Sequence, residues 1–325
     1  MQTITAAREA MATRFELVLH GENPVALRAA AEEALQEIER LHRQLSLYSP
    51  SSEVSYINAH AAQRPVQVEP GLFRLLQMAQ QITVQTNRAF DITIAPLIRC
   101  WGFMGGSGSL PSEEQIAEAR ARVGMEHVIL DQKRFTVRFA RDGMMIDLGS
   151  IGKGHALDVA RETLLEAGIT SALVHGGTST VCGIGTPPGA PCWKVGIPRP
   201  PGSAPGGAGP DDAAAGAEVP PLAVVELKNE ALSVSGVHGK CFKAGDKVYG
   251  HVLDPRTGFP AQGALLAAVA LESAAETDAF STALLLAGVH GHSEIARLRE
   301  GMRTYVLETA PDGSAAIAAQ GIRPL

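Results

Sequence analysis

Apolar and polar residues alternate through residues 15–20 (F-E-L-V-L-H), the period-two pattern of a half-buried strand. The period then lengthens. Leu27, Leu35, Ile38, Leu41 and Leu45 recur at helical spacing behind Asn23, a helix cap, and Pro24, a first helical residue, so a helix is expected to run to about Ser46. Residues 46–58 (S-L-Y-S-P-S-S-E-V-S-Y-I-N) read as a polar, turn-rich loop and 71–86 as a second amphipathic helix. An apolar segment at 90–103 is broken by Pro96, and Ser112 with Gln115 fits a capping box for a short charged helix. Residues 127–140 predict a hairpin turning at 132–134. A short strand at 144–148 then leads through a Gly-rich turn into a helix over about 155–167.

Farther on, 171–175, 192–197, 223–227 and 264–271 read as strands, 276–286 and 293–300 as helices, and two strand-like segments close the chain. Residues 198–221 are almost entirely Pro, Gly, Ala and Asp without periodicity, which predicts a disordered surface insertion within one domain spanning 1–325. Strands and helices alternate only partly and hairpins are frequent, so the fold class is α+β.

Composition narrows the function classes. Apolar residues make up 45% of the 325, enough for a sizeable core, and no apolar run approaches the ~20 residues that cross a bilayer. A formal charge of -6, with no Lys/Arg-rich run, argues against nucleic acid as a partner. The first fifteen residues lack an apolar signal core and a lipid-attachment cysteine, so a cytoplasmic location is expected, or a periplasmic one where a leader precedes them. Cys100, Cys182, Cys192 and Cys241 form no zinc-like spacing and are expected to be buried thiols.

Three stretches could carry chemistry. Residues 251–258 (H-V-L-D-P-R-T-G) read as the end of a buried strand, at Val252 and Leu253, followed by a turn. The same turn would present an imidazole, a carboxylate and a guanidinium together, the groups that gather around a phosphate ester. Residues 149–154 (G-S-I-G-K-G) fail the Walker pattern, because Asp147 and Gly154 stand where Gly and Ser/Thr are needed. A Gly-rich turn entering a helix still offers free N–H groups and a partial positive charge, to which Lys153 adds a full one. Asp278 and Thr282, four apart on a helix, offer a carboxylate and a hydroxyl oxygen on one face, a hard-ligand pair suited to Mg2+ or else two ordinary helix residues.

Seven segments in one order resemble the ApbE family of FAD:protein FMN transferases: M-A-T-R-F (11–15), S-L-Y-S-P-S-S-E-V-S-Y-I-N (46–58), F-D-I-T-I-A-P-L-I-R-C-W-G-F (90–103), I-D-L-G-S-I-G-K-G-H-A-L-D (146–158), S-V-S-G (233–236), H-V-L-D-P-R-T-G (251–258) and T-D-A-F-S-T-A-L (277–284). The resemblance implies a two-lobed α+β fold with mixed, largely antiparallel sheets and flanking helices, binding FAD in a cleft. It also implies a Mg2+-dependent transfer of FMN, through a phosphoester, to a Thr or Ser of an acceptor flavoprotein, such as a membrane redox subunit, with release of AMP.

By the same resemblance Asp278 and Thr282 bind the metal, with a backbone carbonyl from the turn between Gly149 and Gly152 as third ligand. Tyr48 faces the isoalloxazine, Asp91, Thr93 and Pro96 lie on the flavin side, and Lys153 approaches the pyrophosphate. Ser235, Gly236 and His251 contact FAD, and His251 is the expected general base, with Asp254 next in line. Ala12, Met104, His155 and Thr178 depart from the family pattern, Thr178 by replacing an acidic residue after Gly-Gly. An FAD pyrophosphatase and a non-catalytic FAD-binding protein stay open as alternatives.

Overall fold

The computed structural model describes residues 1–200, 220–245, 247–310, 312 and 314–325. Along the chain run β1 (Gln2–Ala10), β2 (Thr13–Gly21), α1 (Pro24–Leu45), α2 (Glu53–His60), β3 (Val66–Gln67), α3 (Pro70–Gln85), α4 (Ala95–Cys100), α5 (Glu113–Arg120), β4 (Val128–Asp131), β5 (Thr136–Phe139) and α6 (Gly152–Glu166). There follow β6 (Ala172–Gly176), β7 (Thr180–Ile184), β8 (Trp193–Ile197), β9 (Ala223–Leu227), β10 (Ala231–Gly236), β11 (Cys241–Ala244), β12 (Lys247–Gly250), β13 (Ala264–Leu271), α7 (Ala274–Ile295), β14 (Arg303–Thr309) and β15 (Ala315–Gln320). This is the expected α+β class. Most of the 198–221 insertion, residues 201–219, lies outside the described residues.

The frame is one sheet in the order β1-β2-β6-β7-β10-β13-β14-β15, every neighbouring pair antiparallel. Helices α1, α6 and α7 pack side by side on one face, burying Leu35, Ile38, Leu157 and Phe280 in the main core. The β8-β9 ribbon covers the other face through Trp193, Ile197 and Leu227. A smaller core of Leu97, Trp101, Phe103, Ile116 and Leu253 joins α4 and α5 to the 251–258 turn.

Local signals are realised where they are strongest. Asn23 Oδ1 accepts the Val25 and Ala26 amides, and Ser112 with Gln115 closes the capping box on α5. Pro96 opens a helix, because in the first turn its missing N–H leaves no partner unpaired. Other expectations need correction. Part of the 46–58 loop is α2, capped by Ser52. Residues 144–148 join no sheet: the Asn58 side-chain amide exchanges hydrogen bonds with Ile146 N (2.8 Å) and O (3.0 Å), taking a strand's place. Val252 and Leu253 also lie outside any strand, and Leu253 makes a single bridge to Pro260. The two expected C-terminal helices are present, divided at Gly288 (φ 64°), but the second ends at Ile295 and does not run on to 300. All four cysteines are free; Cys182 is buried as expected, whereas Cys241 is exposed.

β1 emerges from a stretch that carries no strong pattern, held by a two-residue hairpin turn in which Met11 (φ 50°) and Ala12 (φ 58°) are both left-handed. The Ala12 departure therefore sits where glycine is unstrained. Ala12→Gly is expected to relieve about 1 kcal/mol of backbone strain and to raise the melting temperature by roughly 2 °C. An unchanged or lowered melting temperature would show the turn already relaxed around alanine.

Candidate functional site

A cleft of about 860 Å3 opens beside the N-terminal ends of α6 and α7, lined by Asp147, Gly149, Lys153, His251, Asp278 and Thr282 among others. Glycine makes this junction close enough. A Cβ on Gly154 would lie 2.1 Å from the Ala274 carbonyl oxygen, so α6 and α7 meet backbone to backbone there. The contact lets Gly154 N donate to Asp278 Oδ2 (3.1 Å), and it brings the Lys153 ammonium to 3.5 Å from the same oxygen. Asp158 clamps the junction from the other side, accepting from Ser273 Oγ and the Ala274 and Ala275 amides.

The donor set suits a hard cation. Lys153 Nζ also donates to the Gly149 carbonyl (3.1 Å), so an ammonium already bridges the carboxylate and carbonyl expected to hold a metal. Thr282 Oγ1 lines the same cleft and donates to the Asp278 carbonyl (3.3 Å). Among the described residues no three His, Cys, Asp or Glu side chains form a metal-binding group, so any cation here would rest on mixed oxygens. Gly152 does not contribute to the lining: it opens α6 beneath the cleft, buried near Leu148 and Leu45.

His251 is placed by a chain of supports. The buried Trp101 indole donates to the Gly258 carbonyl (2.8 Å) and the Asp254 amide to the Phe259 carbonyl, fixing the turn. Trp101 is thus a structural anchor packed against Tyr249 and Phe259. His251 Nδ1 lies 3.2 Å from the Lys240 carbonyl, an acceptor, which assigns the proton to Nδ1 and leaves Nε2 with a lone pair. Burial holds the imidazole below its ordinary value. The Lys240 carbonyl opposes that shift, and the Lys240 and Lys153 charges reinforce it.

Asp254 is a correction. Both its oxygens grip Arg256, with Arg256 Nη2 donating to Oδ2 (2.7 Å), and it does not line the cleft, so it is not free to act as a base. Thr93 and Pro96 are buried away from the cleft; Thr93 Oγ1 donates to Asp91 and accepts from Gly124 N. Asp91 does line the cleft, but its oxygens are committed to Thr93 and the Met125 amide. Ser235 and Gly236 line it as expected, Ser235 Oγ lying 2.8 Å from Ser281 Oγ.

Tyr48 is 62% exposed and outside the lining, near enough to Asp147 for that charge to raise its phenol, after burial. In the sequence Asp147 stands out only as a break in the Walker pattern. Burial pushes its carboxyl up, while the Gly149 amide and Lys153 pull it down. Its place two residues before Gly149 was the available signal. Lys240, Arg199, His238, Ser150 and Ser179 add to the polar lining, and Thr178 lines the cleft at its departure from the family pattern.

An eight-stranded antiparallel sheet thus carries α1, α6 and α7 on one face, with the cleft at the N-terminal ends of α6 and α7. The chain belongs to the ApbE family, whose profile matches residues 11–306. The FAD:protein FMN transferases of Rhodobacter capsulatus and Escherichia coli (strain K12) are 29% and 28% identical to it, over 93% and 82% of this chain. The chain spans 54% of the Rhodobacter protein's length and 73% of the Escherichia one's. The ApbE protein of Thermotoga maritima, known from a crystal structure, shares the fold with a TM-score of 0.83 at 29% identity, covering 98% of this chain and 97% of that one.

Proposed function

We propose that this chain transfers FMN from FAD to a Thr or Ser hydroxyl of an acceptor flavoprotein, forming a phosphoester and releasing AMP. One observation carries the reading. Asp278, Lys153, the Gly149 carbonyl and His251 come from three separate segments and line one cleft, in a chain whose named relatives are FAD:protein FMN transferases. Mg2+ held by Asp278, Thr282 and the Gly149 carbonyl, with Asp147 alongside, would neutralise pyrophosphate charge. Lys153 adds a cation at the entrance to α6, where the helix dipole already favours anions. His251 Nε2 takes the acceptor hydroxyl's proton, since the imidazole is neutral near pH 7.

Incubation with FAD and Mg2+, with and without an acceptor flavoprotein, tests this. AMP release together with flavin fluorescence on the denatured acceptor is the expected result. AMP release without protein-bound flavin would instead make the chain an FAD pyrophosphatase, and FAD binding without AMP release a flavin-binding protein.

Tyr48, exposed and within reach of the Asp147 charge, would supply a ring for the isoalloxazine. Ring stacking contributes ~0.5–1.5 kcal/mol beyond burial, so Tyr48→Ala is expected to weaken FAD binding by roughly tenfold. Fluorescence titration giving an unchanged Kd would place the flavin elsewhere.

A further inference from the structure

Behind the turn that carries His251 lies a second recess, of about 490 Å3, where Arg88, Arg120, Arg141 and Arg256 gather with His127 and Glu126. In a chain of formal charge -6, such a concentration of guanidinium groups stands out. Two of the four are compensated, Arg256 by Asp254 (2.7 Å) and Arg88 by Glu126 (3.0 Å). Arg120 donates to the Arg256 carbonyl (3.3 Å) and Arg141 to the Ala121 carbonyl (2.9 Å), and among the described residues neither has a carboxylate partner. These contacts restrain both side chains and leave most of each donor fork open.

The recess and the cleft are neighbours across thin walls. Pro255 lines both, while Ala89, Phe90 and Asp91 line the cleft and Arg88 the recess. Asn87 (φ 48°) and Arg88 (φ 62°) hold left-handed backbone at that wall, a strain that side-chain-bearing residues seldom carry.

We propose that this recess takes a carboxylate side chain of the acceptor polypeptide, gripped by Arg120 and Arg141, while a Thr or Ser nearby on the same polypeptide enters the cleft. The proposal rests on the transferase reading for its choice of ligand. Exposed guanidinium groups hold a free anion weakly, because water screens the pair. The same contact becomes effective when a polypeptide already engaged at the cleft presents the carboxylate at high local concentration. FAD does not need the recess, since its cleft has Lys153 and the α6 entrance for phosphate.

The probes are two fluorescein-labelled peptides, each with a central Thr flanked by two Asp in one and two Asn in the other. Fluorescence anisotropy is read with the FAD-loaded chain, which is compared with its Arg120→Ala/Arg141→Ala and Arg120→Lys/Arg141→Lys variants. The acidic peptide is expected to bind roughly tenfold more tightly than its Asn counterpart, the gap shrinking as salt rises. The double Ala variant should lose that gap, the double Lys variant keep part of it, and both bind FAD with the parent affinity. Equal affinity for the two peptides, or a gap that survives in the double Ala variant, would overturn the proposal. Inorganic phosphate should displace the acidic peptide; phosphate binding that requires both arginines with no peptide preference would assign the recess to a free anion and overturn the polypeptide ligand. Binding is read without turnover. Arginine-dependent binding of the acidic peptide with no FMN transfer would therefore refute the transferase reading while upholding the recess as a carboxylate site.

Discussion

Asp278→Asn is expected to abolish AMP release while FAD binding stays measurable. Asp278 is 4% exposed, and one of its oxygens accepts the Gly154 amide while facing the Lys153 ammonium. Asparagine keeps an acceptor for Gly154 but removes the negative charge. The charge-stabilising contribution at the pyrophosphate grows toward the transition state, so the loss should appear in turnover, not in ground-state binding. Asp278→Ala should add a structural penalty: the Gly154 amide is left unpaired at the α6–α7 junction, at a cost of about 1–3 kcal/mol. Comparing Mg2+-dependent AMP release and thermal melting for the two variants separates these effects. Full Mg2+-dependent activity in Asp278→Asn would move the metal site elsewhere.

His251→Gln is expected to lower FMN transfer by about 10²–10⁴-fold, the usual contribution of a positioned general base, with FAD binding and melting temperature little changed. The Lys240 carbonyl accepts a hydrogen bond from Nδ1–H, so Nε2 is the basic nitrogen. Burial sets the imidazole below its ordinary value of 6.5. The parent enzyme should thus keep its base deprotonated at neutral pH and lose transfer only as pH falls through that depressed value. In the window between the depressed value and 6.5 the unfolded chain binds a proton that the folded chain excludes, so acidification there also lowers stability. His251→Gln should flatten the acid limb of the transfer profile. Transfer at the parent rate would make His251 only a turn residue, and Asp254, locked to Arg256, could not replace it without releasing that pair.

What the sequence determined by itself was whatever local chemistry decides. Asn23 and Pro24 start a helix because an orphan amide needs an acceptor and a ring pre-sets φ, and Ser112 with Gln115 does the same for α5. The seven ordered segments were enough to point to the family and to most of the cleft: Lys153, Ser235, Gly236, His251, Asp278, Thr282 and Gly149 all line it. Tertiary structure decided what depends on distant partners. β7 is buried throughout and contains a glycine, so it shows no alternation, and β10 gains its identity from β7 and β13. Residues 144–148 look like a strand but face one asparagine side chain instead of a strand's ladder. Thr93, Pro96 and Asp254 have the right residue types, yet they are turned toward the protein's own groups. That Lys153 meets Asp278 at all follows from two helices touching at Gly154, across 124 residues of chain, and no local pattern encodes which backbone a missing side chain lets in.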